Sequence, residues 1–247
     1  MTVSPRIEVH PDAADLATAV AGELLSRLAD AQDAGRVPHV GLTGGSIAEA
    51  IHREIARLSP GSEVDWTRVV VWWGDERFVA PDSADRNAVD ARAAFLDALG
   101  VPAEHVHEMP STADAPDVDA AAASYAAELR EHGAGQFEVL MLGMGPDGHV
   151  ASLFPGHPAL DVTGQVAVGV TGSPKPPPER VTLTFDALNR SASVWFLVSG
   201  EGKAEAVARA HAGTADAPVD PHDVPAAGVT GQEETIWFLD RASASLL

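Results

Sequence analysis

The chain has 247 residues and a formal net charge of −20, with 45% hydrophobic and 21% charged residues, which suits a folded globular protein with one well-filled core. It contains no cysteine, which excludes a disulfide framework, a thiol nucleophile and a cysteine-based metal site. The acidic balance argues against nucleic acid or an anionic membrane as partner, and neither a signal-peptide pattern nor a bilayer-spanning apolar run is present, so a cytoplasmic protein is expected.

In chain order, Leu16, Val20, Leu24 and Leu28 recur at spacing four, which predicts an amphipathic helix over 12–33 with Asp12 as cap and Gly35 near its end. A strand follows at 37–43, then Gly44-Gly45 and a helix over 46–58. The apolar run 69–73 reads as a strand that empties into Gly74-Asp75-Glu76-Arg77. Helices are predicted over 87–99, stopped by Gly100, and over 117–132; a strand follows at 137–142. Later strands are expected at 165–170, 181–185, 193–199 and 235–239, with a helix near 202–212. Alternating strands and helices predict an α/β fold with a mostly parallel sheet covered by helices on both faces, a Rossmann-like three-layer sandwich. The Ala/Asp/Pro-rich stretches at 110–119 and 212–225 read as surface loops, not linkers, so residues 1–247 are expected to form a single domain.

Five loops at strand ends carry the chemistry. Gly143-Met144-Gly145-Pro146-Asp147-Gly148-His149 delivers an Asp and a His from the end of a strand, a rigid platform where glycine lets the backbone approach a ligand. The glycines satisfy a dinucleotide fingerprint literally, but Pro155-Gly156 stops any helix early and the next strand candidate carries no acid, so the nucleotide reading is set aside. His149 is the acid/base candidate, because an imidazole changes charge near neutral pH. Thr43-Gly44-Gly45-Ser46 joins a strand to a helix, and Ser46 with Glu49 is expected to form a capping box at a helix N-terminus able to seat a phosphate. In Asp75-Glu76-Arg77, adjacent side chains diverge, so one acid is expected to face the ligand and the other to be structural. The positive charge comes from 14 arginines and two lysines, Lys175 and Lys203, each in or just after a loop that follows a strand candidate. Ammonium and guanidinium groups are not interchangeable at a phosphate or acyl site, so both lysines are candidates. His105-x-His107 is the one close pair with metal-ligand spacing, without a third ligand or an H-E-x-x-H, and no nucleophile elbow is present, so if the chain is a hydrolase it is expected to activate water directly, without metal or cofactor.

Taken together these loops resemble one family, the 6-phosphogluconolactonases of the pentose phosphate pathway. The matching pieces are Thr43–Ser46, Gly74–Arg77, the run from Gly143 through Ser152 to Gly156, Ser173–Thr184 with Lys175 and Arg180, Gly200-x-x-Lys203 and Trp237–Asp240, five motifs and a terminal piece in order over nearly the whole chain. One departure is visible: the family often has Ser-Asn where this chain has Arg86-Asn87, which leaves the part played by that loop open. The related glucosamine-6-phosphate deaminases carry a glutamate shortly after the His, whereas here no carboxylate lies between His149 and Asp161.

The resemblance implies a lactone hydrolase acting on 6-phosphoglucono-1,5-lactone. His149 would be general base on a water, oriented by Asp147 or Asp75. The phosphate would sit on Gly44-Gly45-Ser46 with Arg180 and Lys203, while Arg77 or Lys175 would steady the oxyanion or the phosphate. Thr43, Asn87, Gly148 and Ser152 complete the implied substrate contacts. The expected partner is a small sugar phosphate, with no nucleic acid and no membrane, and a monomer is expected. The rival readings are a sugar-phosphate isomerase or deaminase of the same fold, and a sugar-phosphate sensor, for which the acidic chain lacks a basic DNA-binding region.

Overall fold

The computed structural model describes residues 4–214 and 217–247. It begins with strand β1 (Arg6–His10) and helix α1 (Ala13–Asp33), whose N-terminus is capped by the Asp12 carboxylate accepting from the N–H groups of Ala14 and Asp15. Strand β2 (His39–Leu42) and helix α2 (Ser46–Leu58) follow, then β3 (Val70–Trp73) and a short β4 (Asp75–Arg77). Helix α3 (Asn87–Ala91) continues through a π-helical turn, Arg92–Leu96, into α4 (Asp97–Leu99), ended by Gly100 in the left-handed region at φ 68°. Then come α5 (Val118–His132), β5 (Val139–Gly143), β6 (Ala167–Val170), β7 (Arg180–Leu183), α6 (Phe185–Leu188), β8 (Ser193–Val198), α7 (Ala204–Ala210) and β9 (Glu234–Asp240).

Six strands form one parallel sheet in the order β1-β9-β8-β5-β2-β3. Alternation along β3 explains the two covering layers. Val71 faces one side with Val40 and Leu42 against Leu24 and Leu28 of α1, while Trp72 faces the other against Tyr125 of α5. The central strand β8 is buried at every position, as a parallel strand sandwiched between helices must be.

Two details differ from the sequence reading. The strands at 167–170 and 180–183 do not join the parallel sheet; they make a separate antiparallel sheet in the order β4-β7-β6. The link over 171–179 is too short for the crossover a parallel pair needs. The first strand, β1, lies at the sheet edge with Ile7 and Val9 exposed, so it lacks the apolar run that marks the buried strands.

The topology decides where a ligand can go. From β2 the chain steps outward to β3, then returns across β2 to lay down β5 on its other side. The turns after β2 and β5 therefore diverge at one point on the carboxyl edge, the place where open α/β sheets leave a crevice.

Candidate active site

A cleft of about 320 Å³ opens at that point. Four neighbouring strands, β8, β5, β2 and β3, direct their carboxyl ends into it. The turn after β2 contributes Thr43, Gly44, Gly45 and Ser46. Gly45 takes the cap position of α2 with φ 98°, a conformation that suits glycine, and its carbonyl accepts the Glu49 N–H at 3.0 Å. The expected Ser46–Glu49 capping box does not form, because Ser46 is displaced into the first helical position and no side chain caps the helix. The leading N–H groups of α2 thus lack helical acceptors at the cleft wall, where the helix dipole favours an anion.

The turn after β5 holds His149, the acid/base candidate, and its partner Asp147. Nδ1 of His149 lies 2.5 Å from Oδ1 of Asp147, and the ring packs against Phe154 at 4.6 Å between centroids. Of the two carboxylates considered as its partner, Asp147 makes the contact. Burial works to raise the Asp147 carboxyl, but the hydrogen bonds and charge of His149, with Lys175 behind them, outweigh it and hold the group well below the usual carboxylate range. When the imidazole is neutral and donates Nδ1–H to this carboxylate, its lone pair is on Nε2. Gly145 closes this pair from behind: a Cβ there would stand 2.0 Å from His149 Nδ1 and 2.4 Å from Asp147 Oδ1.

The diverging acids of 75–76 take opposite places. Asp75 lines the cleft and accepts the hydroxyl of Ser152 at 2.6 Å. Glu76 is 1% exposed beneath the loop. Arg77, the next residue, pairs across the small sheet with Arg180, so β4 and β7 bring two guanidiniums to one wall. Asn87 accepts from Arg77 Nη1 through Oδ1 and donates to the Asp75 carbonyl at 3.0 Å through Nδ2. Both chemically distinct ends of its amide are thereby engaged.

Lys175 and Lys203, the chain's two lysines, both line this cleft. Burial pushes each ammonium below its ordinary value; Asp147 works against that in both, and each cation also feels another, Arg180 beside Lys175 and Lys175 beside Lys203. Lys203 donates to the Met144 carbonyl at 2.6 Å, which ties the turn after β8 to the turn after β5. Arg180 grips the loop that carries Lys175, donating from Nη2 to the carbonyls of Lys175 and Pro176 at 3.2 Å and from Nε to that of Pro177 at 3.3 Å. Four cations thus converge in a protein of net charge −20.

Not every residue singled out reaches the cleft. Ser152 is fully buried and acts on Asp75; Asp147 stands behind His149; Gly148, at φ 90°, faces Val224 instead. Arg86 points away as well, 2% exposed, with Nη2 donating to the Met109 carbonyl at 2.7 Å and lying 3.5 Å from Glu108. The Arg86-Asn87 departure therefore alters the underside of the loop and leaves Asn87 in place. Ser199, not singled out by the sequence, also lines the cleft directly after the end of β8 on the same edge. Its hydroxyl donates to Asp240 at 2.5 Å, and Asp240 also accepts the Gly200 N–H, so the terminal Trp237–Asp240 piece anchors the turn that presents Lys203. Among the described residues, no cluster of three His, Asp or Glu side chains is placed to hold a metal ion, and no helix is long and apolar enough to cross a membrane.

Comparison with known proteins places the chain in a context. Residues 11–237 match the family of glucosamine-6-phosphate isomerases and 6-phosphogluconolactonase. The 6-phosphogluconolactonase of Streptomyces coelicolor is 42% identical, the alignment covering 100% of this chain and 96% of that protein. That of Mycobacterium leprae is 40% identical over 98% of each. The crystal structure of 6-phosphogluconolactonase from Thermotoga maritima superposes with a TM-score of 0.83 at 28% identity, covering 96% of this chain and all of that one.

Proposed function

The chain belongs to the glucosamine-6-phosphate isomerase/6-phosphogluconolactonase family, and we propose that it hydrolyses 6-phosphoglucono-1,5-lactone to 6-phosphogluconate in the oxidative pentose phosphate pathway. The observation that carries this reading is the His149–Asp147 pair at the head of a four-cation cleft. In its neutral form an imidazole held by a carboxylate is a base for water, and the cations fit a phosphorylated substrate whose carbonyl gains negative charge on attack.

The substrate phosphate sits at the α2 N-terminus on Gly44-Gly45-Ser46. Arg77 belongs to this end, since its Nη1 comes within 3.1 Å of where a Gly44 Cβ would stand. Arg180, its cross-strand partner, adds charge to the same wall. The lactone carbonyl then lies toward His149, within the field of Lys175 and Lys203. His149 Nε2 takes a proton from water as the water oxygen bonds to the carbonyl carbon, and the carbonyl oxygen becomes the oxyanion. Collapse breaks the bond to the ring oxygen, which receives the proton from the imidazolium. The acid formed ionises at neutral pH, so each turnover releases one proton to solution.

Phe154 favours hydrolysis over the deaminase reaction. It occupies the surroundings of His149 where the resemblance to deaminases would require a carboxylate for ring opening. The same reading takes residues 1–247 as one 6-phosphogluconolactonase-like domain, acting as a cytoplasmic monomer. A continuous core supports the single domain, and the few large apolar side chains left exposed among the described residues support the monomer.

The test is acid release at fixed pH from freshly generated lactone, against the spontaneous background. The wild type should accelerate it, and His149→Ala should lower kcat by about 10²–10⁴-fold. Activity that survives in His149→Ala removes the proposed base. No acceleration by the wild type, with ammonia released from glucosamine 6-phosphate, replaces the lactonase reading by the deaminase one.

A further inference from the structure

Glu76 is a buried carboxylate that the hydrolysis described above does not use. It lies at the start of the loop that carries Arg77 and Asn87, and it meets backbone. Oε1 accepts the N–H groups of Arg77 and Asn87, each at 2.9 Å, and Oε2 accepts that of Ala88 at 2.9 Å. Two of those donors belong to the first turn of α3, where no intrahelical acceptor exists. Helix α3 has no side-chain cap from its own Arg86 position. Glu76 supplies the acceptors from eleven and twelve residues upstream.

The consequence reaches the cleft in two steps. Asn87, fixed through its backbone, accepts from the Arg77 guanidinium and donates to the Asp75 carbonyl. It also abuts the phosphate-binding turn so closely that a Cβ at Gly44 would stand 1.8 Å from its Oδ1. We propose that Glu76 is a positioning residue for phosphate recognition: it fixes the backbone of Arg77, Asn87 and Ala88, and through the Asn87 side chain aims the Arg77 guanidinium at the Gly44–Ser46 turn. The ligand class is a phosphate monoester dianion, and the assignment rests on the lactonase reading only for the identity of the sugar. All three partners of Glu76 are backbone N–H donors, accepted by its two carboxyl oxygens. The charged and titratable groups in its field are Arg86, Arg180 and Tyr125. His149 and Asp147 touch none of these residues, so the base is not expected to feel the change.

The experiment compares wild type, Glu76→Gln, Glu76→Ala and Asn87→Ala by steady-state kinetics and by calorimetric titration with inorganic phosphate. In Glu76→Ala, KM for the phosphorylated lactone and Kd for phosphate should both rise about tenfold while kcat stays within about threefold. Glu76→Gln, which keeps one acceptor oxygen, should fall between. Asn87→Ala should reproduce the effect on phosphate, and the double variant Glu76→Ala/Asn87→Ala should lose no more than the worse single, because both act through one path. A kcat loss equal to or larger than the KM change, or additive losses in the double variant, overturns the proposal. So does an unchanged Kd in a folded Glu76 variant; should Glu76→Ala not fold, Glu76→Gln decides. Failure of the lactonase reading would show as no turnover by the wild type, and the phosphate titration would still judge Glu76.

Discussion

Replacing Gly145 by alanine tests the acid/base assignment without deleting either partner. The new Cβ would stand 2.0 Å from His149 Nδ1, 2.1 Å from Cε1 and 2.4 Å from Asp147 Oδ1, where ordinary contact begins near 3.4 Å. The imidazole must therefore retreat by about 1.4 Å or the turn must move, and a displacement of about 1 Å at a reacting group can cost about 10²-fold in rate. That corresponds to about 2.7 kcal/mol of transition-state stabilisation. Arg77, Arg180 and the α2 terminus lie outside this turn, so KM should change by less than about threefold. The assay is proton release at fixed pH for wild type, Gly145→Ala, His149→Ala and the double variant, with thermal melting to verify folding. Because the alanine acts by displacing His149, it should cost little more once His149 is gone. A folded Gly145→Ala enzyme within threefold of wild-type kcat would refute the reasoning, as would a double variant far worse than His149→Ala.

Arg180→Lys should raise KM about tenfold, since one ammonium cannot span the three loop carbonyls that the guanidinium fork now holds; unchanged kinetics would mean the loop needs no such anchor. Gly22→Ala, on the exposed side of α1 with open space around the new methyl, should stabilise the protein by about 0.5–1 kcal/mol, read as a rise in the urea midpoint at constant m. Burial pushes Glu76 up from 4.5 to about 7, against the opposing pull of Arg86 and the three N–H donors. A raised acid keeps its proton in the native state after the unfolded chain has released it, so its contribution to stability is full below about pH 4.5 and is lost as pH rises through about 7. The stability of wild type relative to Glu76→Gln should accordingly fall by up to about 3 kcal/mol between pH 4.5 and 8 in urea titrations, and a flat difference would mean that burial does not raise the Glu76 carboxyl.

Much of this protein is legible in its sequence, for local reasons. The spacing of Leu16, Val20, Leu24 and Leu28 needs nothing but helical geometry to predict α1, and Asp12 caps it as expected. The glycine turns after β2 and β5 announce themselves because a sheet edge that admits a ligand must bring backbone close to it. The retention of two lysines in an arginine-using chain marked a site, and both line the cleft. Local signals also misled: Ser46 and Glu49 spell a capping box, yet Gly45 takes the cap because its positive φ turns the chain one residue earlier. What the tertiary structure alone decided is which groups meet. Asp75 and Asp147 were equal candidates to orient His149, and only the folding of the β5 turn onto itself chose Asp147 while Ser152 claimed Asp75. Arg77 and Arg180 are far apart in sequence, and the antiparallel register of β4 with β7 set them opposite each other. Periodicity reports the face on which a side chain lies, whereas register and crossover, fixed by packing between distant segments, determine its neighbours.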